Sequence, residues 1–558
     1  DAVHVNLIGY STDAPQKFAY VYAWLGDKGG LDLSAYAGHD FYLIDTLTQA
    51  IVYTGQLAFR GAADSPETGQ ATDTPNQNFL GAEAYECDFS NFNIPGEYRL
   101  VVEGIGCSYP FRIEADALRE PFHAVMRGIY QNRSGIELTM PYAQTRPAPH
   151  NVLTTPGFAG KLKYSTTTWC EVSDDEDSGD QGIWEAGILG DLTTTWGWYQ
   201  DAGDWDGYIH HMKIPSYLLF LFEQFPEHFS DGEIILPESG NGQADILDEA
   251  RWLLRFYKRL KDELVDKNWS TGGIAGARVL GDHWGEDSAP DGTGRGSWAD
   301  TTRTWVVSGE DPFISYWYAG AAAHYHYLLA QNSWTDVEEI DWLAEAIAAY
   351  DWAQNQAIQN PSCHEFELID LRAYAAASLY KATGETSYHN QFLQDAAQLN
   401  LQPANTELTD TKAFGAWQYC SLADEFSTDQ DTYNGCKDAI LATADFQLLF
   451  SGLNGRACRW GGNFWFPMLV GHGTTPFVAE GVMAMALFRD SEPASTLAYK
   501  TAIHNTADYF LGTNPLNMTW ITGLGENYPK EILHLDSWFA PGGGLRLGIN
   551  VFGPWRRE

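Results

Sequence analysis

The sequence is poor in positive charge and lacks long apolar runs. It has 33 Lys and Arg against 74 Asp and Glu in 558 residues, a formal net charge of −41. Nucleic acids and anionic membranes are bound through clustered Lys and Arg, so this balance argues against both as partners. Since no stretch reaches about 18 apolar residues, a membrane-spanning helix is not expected either.

Neither cysteine nor a leader sequence defines the cellular compartment. Seven cysteines are an odd number and too few for a disulfide framework. Cys87 and Cys107 lie in adjacent segments of strand character and could pair, but two buried thiols are the simpler prediction. The amino-terminal DAVHVNLIGYST has no charged or apolar leader region, so we expect a cytosolic protein or one whose signal has been removed.

The residues that are present indicate a folded, multidomain protein. Hydrophobic residues make up 44% and charged residues 19%, which excludes a mostly disordered chain. One core stops growing at roughly 250–300 residues, so we expect two or more domains or one unusually large closed fold. Aromatic residues reach 14%, and Trp and Tyr, besides filling cores, stack on flat ligand faces such as sugar rings.

The two parts of the chain have different periodicities. Residues 1–115 contain seven short runs of strand character separated by turn residues, which predicts an all-β immunoglobulin-like sandwich. From residue 116 to 558, apolar residues recur at spacings of three and four, and few strand runs alternate with the helices. We therefore predict an all-α domain there, a closed α/α barrel or toroid. Its clearest helices are 243–263, 315–331, 336–359, 367–382, 430–450, 476–489 and 494–511, with Gly384 as a C-cap.

The most informative segment is WGWYQDAGDWDGYIHH, residues 196–211. Asp201 and Asp204 are three residues apart with only Ala-Gly between them, so both carboxylates can face one side. Two carboxylates between aromatic walls suit the activation of water beside a sugar ring. We expect Trp198, Tyr199, Trp205 and Tyr208 to form those walls. A turn held by the Asp side chains, or a calcium loop, remains the alternative.

This segment resembles the Asp-Ala-Gly-Asp signature of glycoside hydrolase family 9, the inverting cellulase family. Further segments resemble the family in the same order: LPESGNGQADILDEARWLLRF (236–256), DLRAYAAASLYKATGE (370–385) and DYFLGTNPLNMTWITGLGENYP (508–529). The amino-terminal VHVNLIGY resembles the start of the immunoglobulin-like domain found in one branch of the family. The resemblance covers nearly the whole chain and implies an (α/α)6 barrel for residues 116–558.

The resemblance also implies residue roles. Asp204 matches the general base that deprotonates the attacking water, and Asp201 matches the carboxylate that helps to hold this water. The family acid is a Glu in an Asn-Glu segment after a Gly-Pro motif, but this sequence ends at VFGPWRRE. Glu558 is the one carboxylate after Asp536, and its context does not match, so the acid stays unassigned.

Three departures from the family pattern bear on binding. His534 matches a sugar-contacting histidine, with a packed histidine as the alternative, while Leu535 replaces the arginine beside it. Ser134 and Pro149 stand where structural zinc cysteines would be, so zinc is not expected. The family calcium motif is weakened at Asp370-Leu371. The acidic loop 174–185 has calcium-loop spacing, although a solvated loop is the simpler interpretation.

The resemblance implies an inverting glycoside hydrolase acting on β-1,4-glucan chains or oligosaccharides. The missing arginine makes an exo-acting β-glucosidase or exo-β-glucosaminidase an alternative within the same family, with a glucosamine oligosaccharide as substrate. A carbohydrate-binding protein without turnover is the second alternative, motivated by the missing acid. Because polymeric glucan lies outside the cell, we expect an extracellular or periplasmic protein, whose signal would have been removed.

Overall fold

The fold was derived from a computed structural model that describes most of the chain. The described residues are 2–66, 77–78, 80–169, 171, 186–201, 207–281, 296–299, 303–356, 365–399, 410–423, 426–448, 456–461, 478–539 and 544–551. They form two compact units. One comprises Asp1–Gly128, Ile440–Ile532 and Leu547–Glu558, and the other comprises Ile129–Ala439 and Leu533–Arg546.

The amino-terminal part is all β, as the sequence predicts. Its strands are β1 Val3–His4, β2 Gly9–Ser11, β3 Phe18–Val21, β4 Asp40–Asp45, β5 Ile51–Gly61, β6 Ala84–Asp88, β7 Gly96–Val102, β8 Gly106–Cys107 and β9 Phe111–Glu114. They are ordered β1-β3-β6-β5-β4-β7-β9-β2, with β8 on β7. The long β5 pairs with β4 through its first half and with β6 through its second. Alternate residues such as Phe41, Leu43 and Leu100 fill the core.

The two cysteines of this region do not form a disulfide. Cys87 lies in β6 and is buried, whereas Cys107 lies in β8 and is exposed, and both are free thiols. The prediction of two buried thiols is therefore wrong for Cys107. The reason is that β8 has only two residues, both exposed, and pairs only at its β7 side within the described residues.

Helices make up most of the remaining described residues. They are α1 Arg119–Gln131, α2 Lys213–Gln224, α3 Asp245–Asp266, α4 Pro312–Gln331, α5 Trp342–Gln356, α6 Glu365–Thr383, α7 Thr386–Leu399, α8 Asp410–Cys420, α9 Gln430–Leu448, α10 Ala479–Phe488, α11 Pro493–Phe510 and α12 Leu535–Trp538. Single 3₁₀ turns occupy Gly26–Lys28, Ser34–Tyr36, Ile209–Met212, Pro226–His228 and Ser297–Ala299. Gly384 ends α6 with a φ of 73° and donates to Tyr380 O at 2.7 Å, which confirms the predicted C-cap.

The helices of the second unit alternate between an inner and an outer position. Inner helices α2, α4, α6 and α8 pack against one another in chain order, while α3, α5 and α7 pack outside them. The inner helix α4 is buried along nearly its whole circumference, which explains its run of Ala, Gly and aromatic residues. This arrangement is that of the expected (α/α)6 barrel.

Close packing of the inner helices yields a testable prediction. A Cβ on Gly320 of α4 would lie 2.5 Å from Cδ1 of Tyr374 on α6, so we expect Gly320→Ala to destabilise the fold by about 1–3 kcal/mol. Gly435 in α9 is the matched control, because a Cβ there meets no atom within 4 Å. Gly435→Ala should stabilise by roughly 0.5–1 kcal/mol. Urea unfolding of both variants measures this; equal effects would contradict the packing argument.

The second unit also contains a small sheet that the sequence pattern does not predict. Its strands are β10 Leu162–Ser165, β11 Ile188–Asp191, β12 Gly207–Tyr208, β13 Arg278–Gly281 and β14 Trp305–Val307, in the order β11-β10-β14-β13-β12. Strands of two to four residues are too short for a period-two pattern to be visible. The strand β12 follows residues 202–206 directly in the sequence.

A buried carboxyl group in the first unit predicts a pH-dependent stability. Asp508 on α11 accepts from Asn6 Nδ2 at 2.8 Å, and burial raises its pKa to about 8, against the hydrogen bond from Asn6 and the charge of Lys17. Its folded pKa thus exceeds the unfolded value near 3.8. The folded state therefore binds the proton more tightly, and stability is lost as pH rises between about 4 and 8, by up to about 1.4 kcal/mol per pH unit.

Asp508→Asn removes this titration and keeps an acceptor for Asn6. We expect the melting temperatures of variant and parent to be similar at pH 4, and the variant to gain steadily as the pH rises to 8. Thermal unfolding at fixed scan rate across this pH range is the measurement. A difference between the two proteins that does not change with pH would contradict the expectation.

Candidate active site

Asp201 lies at the end of a buried segment that is held by backbone hydrogen bonds. Trp198, Tyr199 and Gln200 are at most 2% exposed, whereas Asp201 is exposed. The segment is held by the residues that follow α1. Ser134 N donates to Trp198 O at 2.8 Å and Gln200 N donates to Asn132 O at 2.7 Å. Asp201 therefore follows a segment whose backbone is fixed by hydrogen bonds and burial. Its predicted partner Asp204 lies outside the described residues.

The predicted aromatic walls are wrong for two of their four members. Trp198 is stacked with the ring of His150 at 5.7 Å and also contacts Trp305, all within the core. The hydroxyl of Tyr199 donates to Glu249 Oε1 at 2.5 Å. Both side chains are therefore buried among other protein groups and are not available to stack on a sugar. The composition of the segment does not distinguish these two roles. Tyr208 is half-buried, and Trp205 lies outside the described residues.

A buried ion pair holds the segment that precedes Asp201. Arg133 and Glu249 have fully buried side chains and form two hydrogen bonds of 3.1 Å each. Arg133 Nη1 also donates to Glu238 Oε1 at 2.7 Å, and a β-bridge joins Arg133 to Tyr199. Burial raises the pKa of Glu249, although the Arg133 charge opposes this shift. The pair joins α3 to Arg133, which follows α1 and is bridged to the segment that ends at Asp201.

Two carboxylates of the segment 236–256 hold the loop that precedes α3. Asp245, the first residue of α3, accepts from the backbone N–H groups of Gly232, Ile234 and Ile235 at 2.8–3.2 Å. Asp248 accepts from Asn241 Nδ2 at 2.8 Å, and burial raises its pKa to about 7. The acidic residues of this segment thus fold the loop before α3.

His534 is buried in the structure. It is 3% exposed and caps α12, with Nδ1 accepting from Ser537 N at 3.1 Å. Its Nε2 lies 3.5 Å from Oδ1 of Asn132, and burial lowers the pKa of His534 to about 4. The ring is therefore neutral near pH 7 and carries its proton on Nε2. These contacts agree with a packed histidine, and the ligand-facing role stays a prediction.

The residues named for metals are placed as follows. Ser134 Oγ lies 3.3 Å from His150 Nδ1, at the position where the family zinc site would be. Asp370 is buried on α6. The acidic loop 174–185 and Glu558 lie outside the described residues. Among the residues that the structure describes, no group of three or more His, Cys, Asp or Glu side chains is placed to hold a metal ion.

Comparison with solved structures identifies the fold. A metagenome-derived glycoside hydrolase family 9 endoglucanase superimposes with a TM-score of 0.71 at 21% identity, over 99% of this chain and 90% of that chain. A structure described as Bacteroides ovatus GH9 superimposes with a TM-score of 0.70 at 20% identity, over 99% and 92%. The fold is that of an immunoglobulin-like domain followed by an (α/α)6 barrel.

The family follows from sequence models and relatives. The model described as glycosyl hydrolase family 9 matches residues 121–541, and the model described as cellulase N-terminal ig-like domain matches residues 1–107. The chain belongs to glycosyl hydrolase family 9. It is 24% identical to a cellulose 1,4-beta-cellobiosidase of Acetivibrio thermocellus over 81% of this chain and 52% of that protein. It is 23% identical to a xyloglucan-specific endo-beta-1,4-glucanase of Bacteroides ovatus over 96% and 82%.

The chain thus spans about half the length of the first of these relatives. Among the described helices, none combines the length and apolar character that crossing a membrane requires.

Proposed function

We propose that the protein hydrolyses β-1,4-linked glucan chains or oligosaccharides with inversion of the anomeric carbon. Asp204 removes a proton from water as it attacks, and Asp201 helps to hold this water. A carboxylic acid on the other side of the sugar, roughly 6.5–9.5 Å away, protonates the leaving oxygen. The observation that supports this function is the exposed Asp201 at the end of the rigid, buried segment 198–200.

The names of the relatives support a β-1,4-glucan as substrate. One relative is named a cellulose 1,4-beta-cellobiosidase and another a xyloglucan-specific endo-beta-1,4-glucanase. A polymeric glucan requires an enzyme outside the cytoplasm, so we propose an extracellular or periplasmic location. Calcium binding at the loop 174–185 and the absence of zinc both stay proposals, which metal analysis of the purified protein tests directly.

An exo-acting mode on short oligosaccharides is the second candidate. Leu535 takes the place of the arginine that follows the family's sugar-contacting histidine, and an aliphatic side chain cannot make the multidentate contacts of a guanidinium. The glucosamine-specific form of this candidate and the non-catalytic binder are outcomes of the same experiment.

The experiment is a product time course on two hexamers, one of β-1,4-glucose and one of β-1,4-glucosamine, resolved by chain length. Mid-chain fragments from the glucose hexamer would identify an endoglucanase. Monomer as the sole early product from either hexamer would identify an exo-enzyme and its sugar. Binding of a hexamer without any product over days would contradict the proposed hydrolysis and favour the binder.

A further inference from the structure

Asp536 joins three distant segments of the second unit. Its Oδ1 accepts from Ser297 N at 2.7 Å, and its Oδ2 accepts from Ser297 Oγ at 2.8 Å. Oδ2 also pairs with Nη1 of Arg146 at 3.1 Å, and both side chains of this pair are 1% exposed. Burial alone would raise the pKa of Asp536, but Arg146 and the hydrogen bonds from Ser297 bring it below its ordinary value. The buried carboxylate is therefore ionised, and both of its oxygens accept hydrogen bonds.

Arg146 carries this connection to the segment below Asp201. Its Nη1 donates to Gln131 O at 3.0 Å and to Gln200 Oε1 at 3.2 Å. Its Nη2 donates to Arg133 O at 2.7 Å. A guanidinium is planar and presents its donors in a fixed fork, so one side chain can fix several acceptors at once. Arg146 thereby connects Asp536 to both segments that the β-bridge between Arg133 and Tyr199 joins.

Gln200 is the residue directly before Asp201. Its backbone N–H is bonded to Asn132 O, and its side-chain oxygen is bonded to Arg146. The position of the Asp201 backbone is consequently set by a chain of contacts that begins at Asp536. General-base catalysis is sensitive to such placement, because a misplacement of about 1 Å can cost on the order of 100-fold in rate.

We propose that Asp536 is a positioning residue, acting through Arg146 and Gln200 to hold Asp201 in its catalytic geometry. This inference rests on the proposed function and adds to it a residue that does not touch the substrate. Within the described part of the chain, the charged and titratable groups that face Asp536 are Arg146, Arg546 and His534. Because His534 is neutral near pH 7, Asp536 supplies the one negative charge of this group and partly compensates the two guanidinium charges.

The test compares Asp536→Asn with Asp336→Asn. Asp336 is the matched control, since it forms a buried pair with Arg251 at 2.6 and 3.0 Å but has no contact with the Asp201 segment among the described residues. For Asp536→Asn we expect kcat on the substrate cleaved by the parent to fall about 10–100-fold, with KM changed less than about threefold. For Asp336→Asn we expect both constants to stay within about twofold of the parent, as for an independent site.

A second readout detects the charge itself. Loss of the Asp536 charge leaves the guanidinium groups less balanced, which favours the ionised form of the catalytic base. The acidic limb of the kcat/KM profile should therefore move to lower pH. A purely structural role would not shift this limb, so an unshifted limb together with equal losses of kcat in both variants would overturn the proposal.

Hydrogen exchange separates this inference from the proposed function. We expect Asp536→Asn, and not Asp336→Asn, to accelerate amide exchange in peptides covering residues 196–201, where Gln200 N is bonded to Asn132 O. This readout needs no turnover, so it stands if the parent cleaves neither hexamer and the proposed function fails. If Asp536→Asn does not fold, Gln200→Met removes the side-chain oxygen that accepts from Arg146 and leaves the ion pair of Arg146 with Asp536 intact. Unchanged exchange and unchanged kcat in that variant would also overturn the proposal.

Discussion

Asp204→Asn is expected to lower kcat for oligosaccharide hydrolysis at least about 1,000-fold with the fold intact. The amide is nearly isosteric with the carboxylate but cannot accept the proton that water must lose as it attacks the anomeric carbon. General-base catalysis contributes up to about 10⁴-fold in enzymes, and the proposed inverting mechanism has no covalent intermediate through which the reaction could bypass this step. The measurement is single-turnover hydrolysis, with circular dichroism to verify the fold.

The companion variant Asp201→Asn provides the comparison. Because Asp201 is proposed to hold the water without taking its proton, we expect a smaller loss than for Asp204→Asn and an unchanged affinity for a substrate hexamer. Turnover of Asp204→Asn near the parental rate would refute the assignment of the base. Equal losses in both variants would mean that the two carboxylates act as one unit.

Arg133→Met is expected to have the largest effect on stability. Its guanidinium is fully buried and bonded to Glu249 and Glu238. Removing Arg133 leaves the buried carboxylate of Glu249 without a compensating charge, which costs about 3–5 kcal/mol of folding free energy. We therefore expect urea unfolding to show a loss of this size, accompanied by loss of activity because Tyr199 is bonded to the same Glu249.

Two further variants test the origin of that loss. Arg133→Met combined with Glu249→Gln removes the uncompensated carboxylate and should recover a large part of the lost stability. Lys163→Met breaks an exposed pair with Asp191, whose N–O distance is 2.6 Å, and should cost no more than about 1 kcal/mol. A double variant as unstable as Arg133→Met alone would show that the uncompensated carboxylate does not cause the instability.

The sequence predicts the helices well because the apolar spacing of three and four extends over many residues. The predicted 243–263 corresponds to Asp245–Asp266, and 367–382 corresponds to Glu365–Thr383. The predicted start of α5 at residue 336 is too early, because the helix begins at Trp342. Asp336 accepts from the N–H groups of Glu338 and Ile340 and so holds a turn there. Asp341 accepts from Ala344 N and caps the helix that follows.

The arrangement under Asp201 could be predicted only in part. The motif around Asp201 is visible in the sequence, but the ion pairs below it join residues 116 and 390 positions apart. No local pattern specifies such pairs, and Arg146 stands in a stretch whose one visible feature was a missing zinc site. The sequence pattern predicts Trp198 and Tyr199 in the cleft because it does not distinguish an aromatic residue that is buried from one that contacts a ligand.

The stereochemistry of the first product tests the central claim most directly. Proton NMR recorded during the first minutes of hydrolysis of a β-1,4-linked hexamer resolves the anomers of the new reducing end before they equilibrate. Because Asp204 is proposed to activate water for direct attack from the opposite face, the α anomer should form first in the parent and be absent with Asp204→Asn. A β anomer as the first product would contradict the inverting mechanism and the role of Asp204 as a general base.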